Sequence, residues 1–222
     1  MQNFFDAVFV ISLRRRPERL KRFWEAIERS RWPFRRPEVV EAVDGATLAT
    51  PPGWQPAFYG CYLSHLGIFR RAWEKQQTVL IMEDDVAFPA CFAEHAPFFL
   101  ERLPADWDGL YFGCSHCLEV GRPEVVVPSD GVHSAVIRCL CTLQTHCYAV
   151  RGPYIAAIIE ACESFRGAEH IDGIMARLHP RHKVYAPSPS LAGYDENFSE
   201  VIQVRRPADR WDMHGTDRSF IQ

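Results

Sequence analysis

Val79-Leu80-Ile81-Met82-Glu83-Asp84-Asp85 decides how this chain is read. A short, uncharged run with β-branched members suits a strand buried on both faces. Three carboxylates follow it at once. In open α/β sheets, ligands bind beyond the carboxyl ends of the strands. Three adjacent acids repel one another unless a cation or a donor stands among them. Their hard oxygen atoms suit Mg2+ or Mn2+, which typically link one or two carboxylates to substrate phosphates. A solvated acidic turn is the plainer alternative, but the place at a strand end favours the metal.

Upstream, Tyr62, Leu66, Phe69 and Trp73 fall on one face of a helix from about Gly60 to Lys75. It opens Gly60-Cys61-Tyr62-Leu63-Ser64-His65, small and polar groups that can receive an anion at a helix N-terminus or simply cap the helix. Val8–Leu13 is another buried strand, and Pro17 suits the first turn of the helix marked by Leu20, Phe23, Trp24 and Ile27. Glu38–Val43 is a candidate strand ending at the turn pair Asp44-Gly45. Downstream, residues 90–102 read as helix, Gly109–Gly113 and Thr145–Val150 as strands, and Glu119–Ile137 as a hairpin or irregular insert. Ile155, Ile158, Ile159 and Cys162 mark one helix, and Ile171, Ile174, Met175 and Leu178 another. Alternating strands and helices predict an α/β fold with a mostly parallel central sheet flanked by helices. The 222 residues read as a single domain. About 1–113 form one half and about 114–186 the other, and about 187–222 a tail or lid.

Composition narrows the class. With 25 basic and 28 acidic residues, the net charge of −3 argues against a nucleic-acid partner. No apolar run reaches the ~20 residues of a spanning helix. The apolar N-terminal stretch precedes Arg14, Arg15 and Arg16, the reverse of a signal peptide, so a cytoplasmic location is expected. Residues 14–36 hold ten basic and three acidic side chains. This is a solvated helix face, or else a patch for pyrophosphate or for peripheral contact with the inner face of an anionic membrane. The eight cysteines read first as thiols. Cys114, Cys117, Cys139 and Cys141, with His146 and Cys147 after them, are a weaker candidate for structural zinc, against the plainer reading of buried thiols.

These residues together resemble glycosyltransferase family 25, the lipooligosaccharide and collagen β-galactosyltransferases, over roughly residues 7–200. The carriers are VFVISLRRRPERL at 8–20, EAVDG at 41–45, GCYLSHLGIFRRAWE at 60–74 and VLIMEDDV at 79–86. DWDGLYFG at 106–113, CYAVRGPYIAAII at 147–159 and HIDGIM at 170–175 add to them. Ser12 departs from the asparagine usual there. The resemblance implies a GT-A-like (Rossmann-like) nucleotide-sugar fold, a DXD-like acidic motif and metal-dependent inverting transfer, commonly of galactose from UDP-galactose. It implies a glycan, lipooligosaccharide, glycolipid or protein acceptor, and fits lipopolysaccharide biosynthesis. Glu83 and Asp85 would hold Mn2+ (or Mg2+), with His214 as a further ligand. Ser12, Leu13, Arg19, Asp44, Ser64, His65 and Asp84 would contact the UDP-sugar. An inverting transfer needs a carboxylate to take the acceptor's proton. Asp172 is the first choice, Glu169 and Asp195 the alternatives. A nucleotide-sugar or phosphate-ester hydrolase and a degenerate, non-catalytic glycan- or nucleotide-binding module are the competing readings.

Overall fold

A computed structural model describes residues 1–165, 167–194, 197–199 and 204–206. In chain order, the first half runs β1 (Ala7–Ser12), α1 (Pro17–Arg29), β2 (Glu38–Glu41), α2 (Pro56–Glu74), β3 (Val79–Glu83), β4 (Val86–Ala87), α3 (Phe92–Glu101) and β5 (Gly109–His116). The rest comprises β6 (Glu124–Val127), β7 (Ala135–Arg138), β8 (Thr142–Val150), α4 (Pro153–Ser164), α5 (Ile171–Ala176), β9 (Val184–Ser188), β10 (Gly193–Tyr194), β11 (Asn197–Ser199) and β12 (Val204–Arg206).

Among the described residues, the main sheet has eight strands in the order β2-β1-β3-β8-β5-β9-β7-β6. Neighbouring apolar residues divide between its two faces, as strand pleating demands. Phe9, Ile11, Val79 and Ile81 meet Leu66 and Phe69 of α2, Ile155 and Ile158 of α4, and Ile174 of α5. Val8, Val10, Leu80 and Met82 meet Phe23 of α1 and Phe92 and Phe99 of α3. Every position from Val79 to Met82 is thus covered on one side or the other, which explains a strand with no polar alternation.

The α/β class stands, but the expected mostly parallel sheet needs correction. Strands β2, β1 and β3 are parallel, and so are β5 and β9. The pairs β3–β8, β5–β8, β7–β9 and β6–β7 are antiparallel. The cause is connectivity. After β5 the chain leaves the sheet centre for the β6–β7 hairpin at its far edge. It returns as β8 without a crossover helix, so β8 runs against both neighbours.

Smaller differences also have local causes. Helix α2 begins at Pro56, four residues early, because proline suits the first helical turn. The segment set apart from Pro187 begins inside the body. Pro187 and Ser188 lie in β9, Leu191 and Ala192 are fully buried, and both of those N–H groups donate to Phe112 O (2.7 and 3.0 Å).

That packing makes Gly113 irreplaceable on steric grounds. A Cβ there would lie 1.9 Å from Ala192 O and 2.5 Å from His146 Nε2. Backbone is one of the obstacles, so relief requires moving a strand. Gly113→Ala is expected to cost about 3 kcal/mol and to lower Tm by roughly 6–12 °C. An unchanged melting temperature would rule out so close an approach of residues 191–192 to β5.

His179 gives the fold a pH limit. Its ring is fully buried, Nδ1 accepts from Thr142 N at 3.3 Å, and Nε2 lies 3.3 Å from Tyr111 Oη. A second ring proton would face a backbone N–H. Burial, then the His116 and His182 charges, pushes its pKa down to about 3. The folded state therefore resists a proton that the unfolded chain takes near pH 6.5. Stability is fully present above that value and is lost as pH falls toward 3. About 3 kcal/mol should be gone by pH 4, at roughly 1.4 kcal/mol per pH unit. Urea unfolding from pH 7 to 4 should show this slope, and His179→Gln should flatten it. Equal slopes in both proteins would take His179 out of the acid response.

Candidate functional site at the carboxyl edge of the parallel strands

Register brings the site together. Ser12 lies opposite Glu41, and Ile11 opposite Glu83, so β1, β2 and β3 end at one edge. Because β8 runs the other way, its first residues reach this same edge, with Cys147 opposite Met82 and also opposite Gly113 of β5. The ends of five strands thus meet at one edge.

The acids divide into two groups. Asp84 accepts from Ser12 Oγ at 2.7 Å, and Arg19 Nη2 lies 2.6 Å from Asp84 and 3.1 Å from Asp85. Arg19 stands in the first turn of α1, where the helix dipole disfavours a cation. The two buried carboxylates account for its presence there. Burial pushes the Asp84 carboxyl up to about 6, and the Asp85 and Glu83 charges add to this. Arg19 and the Ser12 hydroxyl pull it partly back.

Glu83 faces the other way. Its Oε1 accepts from Thr145 Oγ1 at 2.6 Å and lies 3.6 Å from His65 Nε2. The second ring nitrogen, His65 Nδ1, is 2.8 Å from Tyr148 Oη. Burial disfavours the Glu83 charge, but His65, Thr145 and His146 outweigh it and the carboxyl is held low. Cys61 stands one helical turn before His65 on α2. Burial, then Glu83, Asp172 and Asp85, pushes its thiol up, so all three carboxylates are within electrostatic reach of it. Among the described residues, Cys61, His65 and Glu83 are the group of three potential ligands whose donor atoms lie within 4.8 Å of one another.

The remaining positions fall around this edge or outside it. Ser64 Oγ accepts from Val43 N (2.9 Å) and donates to Gly60 O (2.7 Å), pinning the loop after β2 to α2. Asp44 caps the 3-10 turn Gly45–Thr47 through Ala46 N and pairs with Arg15 at 2.6 Å. Leu13 follows the end of β1, half-buried. Asp172 accepts from Gln144 N (3.0 Å) and Gly173 N (2.8 Å). Gln144 has φ +78, a left-handed conformation that this carboxylate helps to hold. Glu169 is ion-paired with Arg177 at 2.7 Å. Asp195 and His214 lie outside the described residues.

Sequence reasoning missed Thr145, Gln144, Tyr148 and Cys61. For Cys61 a signal existed, since its i, i+4 spacing to His65 puts both on one helix face. Of the other cysteines, Cys114, Cys139 and Cys147 are buried in the core, and Cys117 N donates to Cys141 O. In the basic stretch, Arg35 bonds Asp6 O, Arg36 lies over the Trp24 ring and Arg16 pairs with Glu18. Among the described residues, no helix is long and apolar enough to cross a membrane.

Residues 57–114, from the first turn of α2 to the end of β5, match the family model described as "Glycosyltransferase family 25 (LPS biosynthesis protein)". This stretch of the chain is similar to that family. That segment holds Cys61, Ser64, His65 and all three acids at 83–85. A "Glycosyltransferase 25 family member" of Drosophila melanogaster is 32% identical over 156 residues, which are 58% of this chain and 24% of that protein. "Probable inactive glycosyltransferase 25 family member 3" of Rattus norvegicus is 34% identical, over 60% of this chain and 26% of that protein. "Procollagen galactosyltransferase 2" of Mus musculus is 28% identical, over 56% and 23%. The chain spans about a quarter of the length of these relatives.

Proposed function

We propose that this chain is an inverting glycosyltransferase. It would move a sugar, galactose from UDP-galactose in the first instance, to a hydroxyl of a glycan, glycolipid or protein side chain. The observation that carries this reading is the Ser12–Asp84–Arg19–Asp85 network. It stands at the ends of three parallel strands, with its two acids inside the family-25 segment.

The chemistry asks for charge in two places. A nucleoside diphosphate leaves with growing negative charge, which preorganised cations stabilise. Arg19 supplies one such charge. Mn2+ or Mg2+ would supply another, and the hard oxygen donors at 83–85 fit either ion. Glu83 and Asp85 do not face one way, however, and one or two carboxylates suffice for a diphosphate-bound cation. Asp84 and Asp85 stand on the side of Ser12 and Arg19, and these two acids would hold the ion. Ser64 and Asp44 fix the loop that borders the nucleotide end. Asp172, on the first turn of α5, would take the proton from the acceptor hydroxyl.

The test is a screen of UDP-sugars with Mn2+, read as UDP release with and without glycan, glycolipid and peptide acceptors. Acceptor-dependent UDP release with the sugar on the acceptor is the expected result. Free sugar as the product would make the protein a hydrolase. UDP binding without turnover would make it a binding module, a reading favoured by the word "inactive" in the name of the rat relative.

A further inference from the structure

We propose that Cys61, His65 and Glu83 form a three-ligand site for a borderline-soft divalent ion, of which Zn2+ is the type, separate from any cation bound with the donor. The site joins two elements. Cys61 and His65 come from successive turns of α2, and Glu83 is the last residue of β3.

Three features point to an ion. The His65 side chain is 1% exposed, and among the described residues its Nε2 has no hydrogen-bond partner. A buried ring nitrogen in that state costs free energy unless something binds it. Its distance to Glu83 Oε1 is 3.6 Å, too long for a hydrogen bond. A tetrahedral zinc ion at about 2.0–2.1 Å from each ligand holds two such atoms roughly 3.3–3.4 Å apart, close to that span. Finally, the outer contacts are those that orient metal ligands. Tyr148 Oη is 2.8 Å from His65 Nδ1, and Thr145 Oγ1 donates to Glu83 Oε1 at 2.6 Å. A hydrogen bond at the second ring nitrogen fixes the imidazole with its other nitrogen toward the ion.

The donor set selects the ion. One sulfur, one nitrogen and one oxygen suit Zn2+ or Co2+, whereas Mg2+ and Ca2+ take oxygen alone. On binding, the Cys61 thiol gives up its proton to solvent and coordinates as thiolate. Three protein ligands leave one tetrahedral position for water or another small ligand, the pattern of open zinc sites. With Glu83 committed here, Asp84 and Asp85 remain to serve the diphosphate end. This division rests on the function proposed above, but the ion site does not need it to be true.

The probe is Co2+ alone, titrated into the reduced, chelator-treated full chain and followed by absorbance. The expected result is one Co2+ per chain, with the near-ultraviolet charge-transfer band of a cobalt–thiolate bond. Cys61→Ser should abolish the band. His65→Ala should weaken binding strongly, and Tyr148→Phe by about 10–100-fold. Cys117→Ser/Cys141→Ser and Asp85→Asn should keep the band. Absence of a band in the wild-type chain would overturn the proposal without reference to any variant's folding. A band that survives Cys61→Ser, or disappears in Cys117→Ser/Cys141→Ser, would also overturn it. Sugar transfer with no cobalt–thiolate band would sink this inference alone, and a Cys61-dependent band without transfer would sink only the proposed function.

Discussion

Asp172→Asn is expected to lower sugar transfer by about 10²–10⁴, the contribution of a positioned base, with UDP affinity nearly unchanged. The carboxylate is fixed by two backbone donors, Gln144 N and Gly173 N, and it lies within electrostatic reach of Cys61 beside Glu83. Asparagine keeps the size but can offer its oxygen to only one of those donors. Its NH2 must face the other, which costs about 1–3 kcal/mol. Stability should therefore fall as well, and the two effects need separating. If Asp172 only holds Gln144 in place, activity will fall no further than the folded fraction does. If it takes the acceptor's proton, the fully folded variant will still be slow. A wild-type rate in the folded variant would remove Asp172 from the chemistry and pass the role to Asp195 or to Glu169, which is tied to Arg177.

Arg19→Ala should be the most destabilising single change at the site. The Asp84 and Asp85 side chains are each 6% exposed, and Arg19 is 12% exposed. Removing one member of a buried ion-pair network leaves uncompensated charge and typically costs 3–5 kcal/mol. A fall in Tm of roughly 6–20 °C follows for a chain of this size. The cost should shrink on acidification. Burial already holds the Asp84 carboxyl up at about 6, and without Arg19 it has lost its main source of opposing charge. Protonating it removes the problem that the substitution created. Mn2+ should also stabilise the variant more than the wild type, because it restores positive charge beside the two acids. Thermal melts at pH 5 and pH 7, with and without Mn2+, check all three points. A loss below about 1 kcal/mol would mean that the pair is screened as surface pairs are.

Much of this site could be read from the sequence because short-range pattern encoded it. Strand β3 was legible as an apolar run, and the acids at its end marked the binding edge. Helix α2 was legible from Tyr62, Leu66 and Phe69, although Trp73, read onto the same face, is exposed, and its family motif marked Ser64 and His65. Strand direction was not legible. Nothing within Thr142–Val150 states that it runs against β3, since that depends on the 25-residue excursion between β5 and β8. Strand β9 was hidden by Pro187, which argues against a paired strand. The structure accommodates it because pairing to β5 stops at Tyr185, so Pro187 faces β7 alone. Gln144 and Thr145 were missed for a related reason. Their roles depend on a left-handed backbone and on a reversed strand, and neither has a local signature.

Calorimetric titration of UDP with Mn2+ tests the central claim most directly, namely that a nucleotide diphosphate binds where β1 and β3 end. The titration should be run on the wild-type chain, on Asp85→Asn, and on Trp73→Ala, whose exposed ring lies on a separate surface groove beside α4. The expected result is binding in the wild type that chelator removes, affinity lower by about tenfold or more in Asp85→Asn, a change of about 1.4 kcal/mol, and no change in Trp73→Ala. Wild-type affinity in Asp85→Asn, or no UDP binding by the wild-type chain, would contradict the claim.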